Sequence, residues 1–153
     1  MLLFTNFEIM PSQSKVCFFF QGVKVHLANR TQLKKYIQFI FKKEGEKLES
    51  LNYIFCTDKA LLEINQQFLQ HDLYTDIITF DLSESDAVRA EIYISVDRVK
   101  QNAIHLGFSF KSELHRVIFH GVLHLCGYKD KSKGDIKKMR SKEEFYINRY
   151  GLY

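Results

Sequence analysis

At 153 residues, 46% hydrophobic and 14% aromatic, the chain reads as one domain over 1–153, long enough to bury about 68–70% of its unfolded surface. One proline and seven glycines argue against linkers or disorder, and no apolar run approaches the 18 or so residues of a membrane span. The net charge of +4 is modest and excludes little; its placement says more. The start, MLLFTNFEIM, lacks the basic residues and small-residue cleavage site of a secretory leader. Cysteines 17, 56 and 126 show no paired spacing, as expected of free thiols in a reducing cytoplasm.

In chain order, the strand formers of 16–20 and then Val23 and Val25 predict one or two strands. Asn29 or Thr31 caps a helix through Leu33, Tyr36, Ile37, Ile40 and Phe41, stopped by Gly45. A short strand follows over 51–57. Asp58 then caps a helix carrying Leu61, Leu62, Ile64, Asn65 and Phe68. Residues 76–82 and 89–96 are β-rich, and the short connection at 83–86 predicts that they pair as neighbours. Ser95 caps a helix that ends at Gly107; Ser109 or Ser112 opens the next; a last helix spans 134–150. The predicted class is α+β: a small sheet of about four strands packed with about five helices.

The most informative stretch is HGVLHLCGYKD, residues 120–130. Four residues rotate a helix by roughly 400°, so His120 and His124 leave one face about a turn apart. That spacing lets two imidazoles hold one metal ion. Gly127 tolerates the left-handed turn that ends many helices, and Asp130 follows as a possible third ligand. Two ligands from a helix and one from its trailing loop leave an open side, as catalytic metals require. An i, i+4 histidine pair by itself is more often ordinary helix; the glycine and the carboxylate tip the balance towards a metal site.

The spacing invites comparison with zinc proteases, which carry a glutamate after the first histidine as general base. Here that residue is Gly121, which cannot take a proton, so peptide hydrolysis by that route is disfavoured. A zinc-bound water with a pKa near 7 still supplies a nucleophile, and Gly121 leaves room for a bulky substrate. Glu113 and Arg116 fall near the His120 face. Glu113 either orients a histidine or forms an ion pair; Arg116 either binds a phosphate or, the stronger expectation, forms an ion pair. Cys126 points about 200° from His124 and is expected to pack in the core. His26, His71, His105 and His115 are expected to be surface or hydrogen-bonded residues. From Lys129 to Lys142, seven basic residues oppose Asp130 and Asp135, a net of +5. The run is a solvated helix face or a lure for a polyanion; the two readings stand level.

These residues resemble the YbeY family. His120 to Tyr128 match its HGxLHLxGY signature; Asn65 with Thr75-Asp76-Ile77-Ile78-Thr79-Phe80 is similar to its asparagine and T-D/N-V-L-S-F segment. Glu91-Ile92-Tyr93-Ile94-Ser95 and Glu113-Leu114 resemble two further segments, so the likeness spans about 58–130. It implies a bacterial metal-dependent endoribonuclease acting on single-stranded RNA, in 16S rRNA 3′-end maturation and ribosome quality control. It also implies one zinc per chain, or another divalent transition metal, and a cytoplasmic location without membrane contact. A ribosomal small-subunit protein is a possible further partner. By analogy Thr75 and Asp76 line the substrate cleft nearest the metal. Three departures stand out. Asp130 replaces the family's third histidine, which implies weaker zinc selectivity. Leu69 replaces an arginine proposed to act on phosphate. Ala90-Glu91 stands where Gly-Asp is usual. The alternatives are a zinc peptidase and a non-catalytic ribosome-assembly factor.

Overall fold

The computed structural model describes residues 14–151; the leader expectation concerns residues outside that span. Strands β1 (Val16–Phe20), β2 (Lys47–Cys56), β3 (Ile77–Asp81) and β4 (Ala87–Ser95) form one mixed sheet in the order β1-β2-β4-β3. β1, β2 and β4 run parallel, and β3 pairs antiparallel to β4 at the edge. Five helices accompany it: α1 (Arg30–Lys43), α2 (Asp58–Leu69), α3 (Val96–Leu106), α4 (Phe110–Leu125) and α5 (Lys133–Tyr150). The expected α+β class and the neighbouring β3–β4 pair are both present. The second N-terminal strand is not, because Val23 and Val25 lie in irregular chain.

Parallel central strands are covered on both faces, and side chains alternate between the two. Leu51, Tyr53 and Phe55 of β2 join Ile92 and Ile94 of β4 in the main core with α1, α4 and α5. Ile54, Cys56 and Tyr93 point the other way, into a smaller core with Leu61 of α2. Cys56 and Cys126 are free thiols.

Caps follow side-chain chemistry. Asn29, Ser95, Ser109 and Ser132 each accept from a backbone N–H in the first turn of α1, α3, α4 and α5. Thr57, not Asp58, caps α2. The Asp58 carboxylate instead accepts from Ser95 at the end of β4 and from Arg98 in α3.

α4 is buried along most of its length, and the Tyr53 hydroxyl donates to its Ile118 carbonyl at 2.9 Å. Gly121 lies on the face turned to the sheet. A Cβ there would sit 2.7 Å from Ile92 Cδ1 and 3.0 Å from Ile77 Cδ1. This corrects the expectation that Gly121 makes room for substrate: it lets α4 approach β4 and β3. Gly121→Ala is expected to destabilise by about 1–2 kcal/mol through overpacking, lowering Tm by about 3–8 °C in a thermal melt. Adding Ile92→Val, which removes the obstructing methyl, should recover part of the loss. An unchanged Tm for Gly121→Ala would show that the helix has slack here.

Candidate metal centre

His120 and His124, on successive turns of α4, place their Nε2 atoms 2.9 Å apart. After α4, Gly127 adopts φ +91°, and the Gly127 and Tyr128 amides donate back to the His124 and Leu123 carbonyls. The reversal brings Asp130 Oδ2 to 3.3 Å from His124 Nε2 and 3.4 Å from His120 Nε2. One donor atom from each residue thus lies within 4.8 Å of the others.

The far side of each ring sets its tautomer. His124 Nδ1 donates to the Tyr128 carbonyl at 2.9 Å, and His120 Nδ1 faces Glu143 Oε1 at 2.5 Å. A carbonyl or carboxylate only accepts, so each Nδ1 is assigned a proton and Nε2 is the atom each ring can offer a cation as a lone pair. Two lone pairs and a carboxylate oxygen repel unless a proton or a cation stands between them. Ligands at about 2.0–2.1 Å around a tetrahedral ion lie about 3.3 Å apart. The observed 2.9, 3.3 and 3.4 Å bracket that spacing, so the donor set fits a divalent metal.

Glu143 on α5 was not among the expected residues. The one signal for it in the sequence is an acid four after Met139 and three before Tyr146, at the spacing of a buried stripe. A second brace acts on Tyr128. Its hydroxyl donates to Glu44 at 2.7 Å, and Lys142 and the Tyr146 hydroxyl also donate to Glu44. Burial would raise the Glu44 pKa, but these three hydrogen bonds outweigh it and hold the carboxyl below its ordinary value. The carbonyl on which His124 rests is anchored in this way.

Glu113 does not meet a histidine. Fully buried, it accepts from Arg116 at 2.6 and 2.9 Å. Arg116 also lies 3.4 Å from Glu143 and 3.8 Å from Asp76. Burial works against its charge, and the Glu113 hydrogen bond with the charges of Glu143 and Glu113 more than offsets it, so its pKa is raised. With three carboxylates around it, Arg116 forms the expected ion pair. Cys126 packs against the core, as expected, and burial pushes its thiol up to about 12. It stands outside the donor cluster.

The side chains of His120, His124 and Asp130 open on a groove of about 810 Å³ that Thr75 and Asp76 also line. Asp76 accepts from Asn102 at 3.1 Å, and Thr75 donates to the Ile77 carbonyl. Buried Asn65 donates to the Leu73 carbonyl and accepts from the His71 amide, tying the approach to β3 onto α2. Leu69, 41% exposed, lines the same groove without charge. Of the basic run, Lys142 pairs with Glu44, while Lys129, Lys131, Lys133, Lys137, Lys138 and Arg140 are exposed.

An α+β domain whose two helical histidines and one loop carboxylate face an open groove has the form of a mononuclear metallohydrolase. Residues 21–151 match the family model for endoribonuclease YbeY. The Porphyromonas gingivalis endoribonuclease YbeY is 46% identical over 131 residues, covering 86% of this chain and 87% of that protein. The Flavobacterium psychrophilum endoribonuclease YbeY is 56% identical over 103 residues, covering 67% of this chain and 71% of its own length. The solution structure of TM1509 from Thermotoga maritima is similar at TM-score 0.62 and 31% identity, covering 88% of each chain. The chain belongs to the YbeY endoribonuclease family.

Proposed function

We propose that this chain is a metal-dependent endoribonuclease that hydrolyses single-stranded RNA, acting in 16S rRNA 3′-end maturation and ribosome quality control. The observation that carries it is the convergence of His120, His124 and Asp130 beside the groove, in a chain of this family. These three residues would hold one zinc ion per chain. When bound, zinc supplies Lewis-acid stabilisation of charge on phosphate and lowers the pKa of water towards about 7. The chain's own part is orientation. Glu143 and the Tyr128 carbonyl fix the two rings, and Thr75 and Asp76 shape the wall on which the strand rests. The exposed lysines draw RNA by its backbone without reading sequence.

No described helix is long and apolar enough to cross a membrane. The proposed setting is the cytoplasm, on ribosomal RNA and near a small-subunit protein, with residues 1–153 acting as one unit. The test is cleavage of single-stranded and duplex RNA by the zinc-loaded chain, with His124→Ala prepared in parallel and casein as a peptidase control. Loss of single-strand cleavage in the variant alone supports the proposal; equal cleavage by both chains overturns it.

Asp130 puts a second chemistry within reach. A carboxylate hardens the site and lowers its net charge, which favours Mn²⁺ or Fe²⁺ relative to a three-histidine set. Asp130→His is expected to bind zinc about tenfold more tightly in competition with a chelator. Equal affinities would show that the third ligand does not set selectivity.

A further inference from the structure

Exposed apolar side chains are informative when they are grouped, and Leu69, Leu73 and Tyr74 are grouped on one groove. Tyr74 is 57% exposed and lines the groove that holds the metal-ligating side chains. Its ring is held: the Arg98 guanidinium carbon lies 4.9 Å from the ring centroid. Arg98 is itself pinned by Asp58, at 2.7 and 3.3 Å. One face is therefore covered by a fixed cation, and the remaining exposure belongs to the rest of the ring. Leu73, 71% exposed, and Leu69 continue the apolar rim.

Positive charge in the groove is scarce, and Asp76, Asp81 and Asp130 line it. Among the described residues lining it, Lys131 is the one lysine or arginine. Arg116 is occupied by carboxylates, and Leu69 carries no charge. Lys131 follows Asp130 directly and is exposed.

We infer that Tyr74 and Lys131 form a nucleotide subsite of the groove: Tyr74 stacks an unpaired base and Lys131 takes a neighbouring phosphate. The inference rests on the ribonuclease proposal for the identity of the ligand. Stacking on a side chain is sequence-tolerant, since every base has a π-face. It also selects single strands, because a base in a duplex is already stacked on both sides. Arg98 lowers the cost by fixing the ring before RNA arrives.

The test uses the full zinc-loaded chain and a single-stranded 2′-O-methyl oligonucleotide containing 2-aminopurine, whose fluorescence falls on stacking. Binding should quench the probe. Tyr74→Ala is expected to abolish the quench and weaken affinity about tenfold, while Tyr74→Phe keeps both. Lys131→Ala should lower the slope of log affinity against log salt by about 0.7, and Lys35→Ala, on α1, should leave it unchanged. Unaltered quenching and affinity in Tyr74→Ala, or the same salt slope in Lys131→Ala as in the parent chain, overturns the subsite even if RNA is cleaved. Tyr74-dependent quenching in a chain that cleaves no RNA supports the subsite and removes the nuclease proposal. No binding by the parent chain overturns both.

Discussion

Replacing His124 with alanine is expected to abolish RNA cleavage, by about a thousandfold or more, and to reduce bound metal from about one ion per chain to near zero. The ring is one of three donors, and two donors offered by one histidine and an exposed carboxylate do not hold a transition metal at ordinary concentrations. The change also removes the bond from Nδ1 to the Tyr128 carbonyl, one of the ties that hold the loop carrying Asp130 to α4. Gel-resolved cleavage reads the first effect, and elemental analysis of chain purified without a metal-affinity column reads the second. His105→Ala, at an exposed position of α3, controls for loss of any histidine. Retained metal in His124→Ala would place the ion elsewhere.

Arg116→Leu is expected to be the most damaging substitution for stability, at about 3–5 kcal/mol. Glu113 is fully buried and Glu143 is 5% exposed, and the guanidinium neutralises both. Without it the Glu113 carboxylate is left inside the protein without its cation, and it must take up a proton or the packing must open. Tm should fall by roughly 6–20 °C in a chain of this size. The double variant Glu113→Leu with Arg116→Leu should recover much of the loss, since replacing a buried pair by apolar groups is often nearly neutral. A double variant no more stable than the single would show that the ion pair contributes on its own account. The single variant should also weaken metal retention, because Glu143, released from Arg116, orients His120 less firmly.

The site was legible where its chemistry is local. His120 and His124 share a helix face by geometry, and Gly127 marks the reversal that delivers Asp130. All three parts lie within eleven consecutive residues. Ser95, Ser109 and Gly107 marked helix ends for the same reason: caps satisfy backbone groups one turn away. Of the one or two strands expected over 16–25, one forms, because the β-branched Val23 and Val25 favour extended chain without joining a ladder.

Glu143 and Gly121 mark the limit. The partner of a histidine 23 residues away depends on how α5 packs on α4, and nothing within one turn of Glu143 encodes it. Gly121 is read from the sequence as open to substrate but packs against Ile92 and Ile77, since the sequence does not say which face of α4 meets β4. Arg116 shows the same division. Its i, i+3 pairing with Glu113 is written into helical spacing, whereas its contacts with Glu143 and Asp76 require two other elements to arrive.

Spacing along one helix and its following turn thus determined the donor set, because ligands one turn apart need no tertiary information to converge. The tertiary structure decided which carboxylates brace that set and which remain buried, and where the groove opens. Those choices depend on inter-element packing, where distances are set by side chains far apart in the chain.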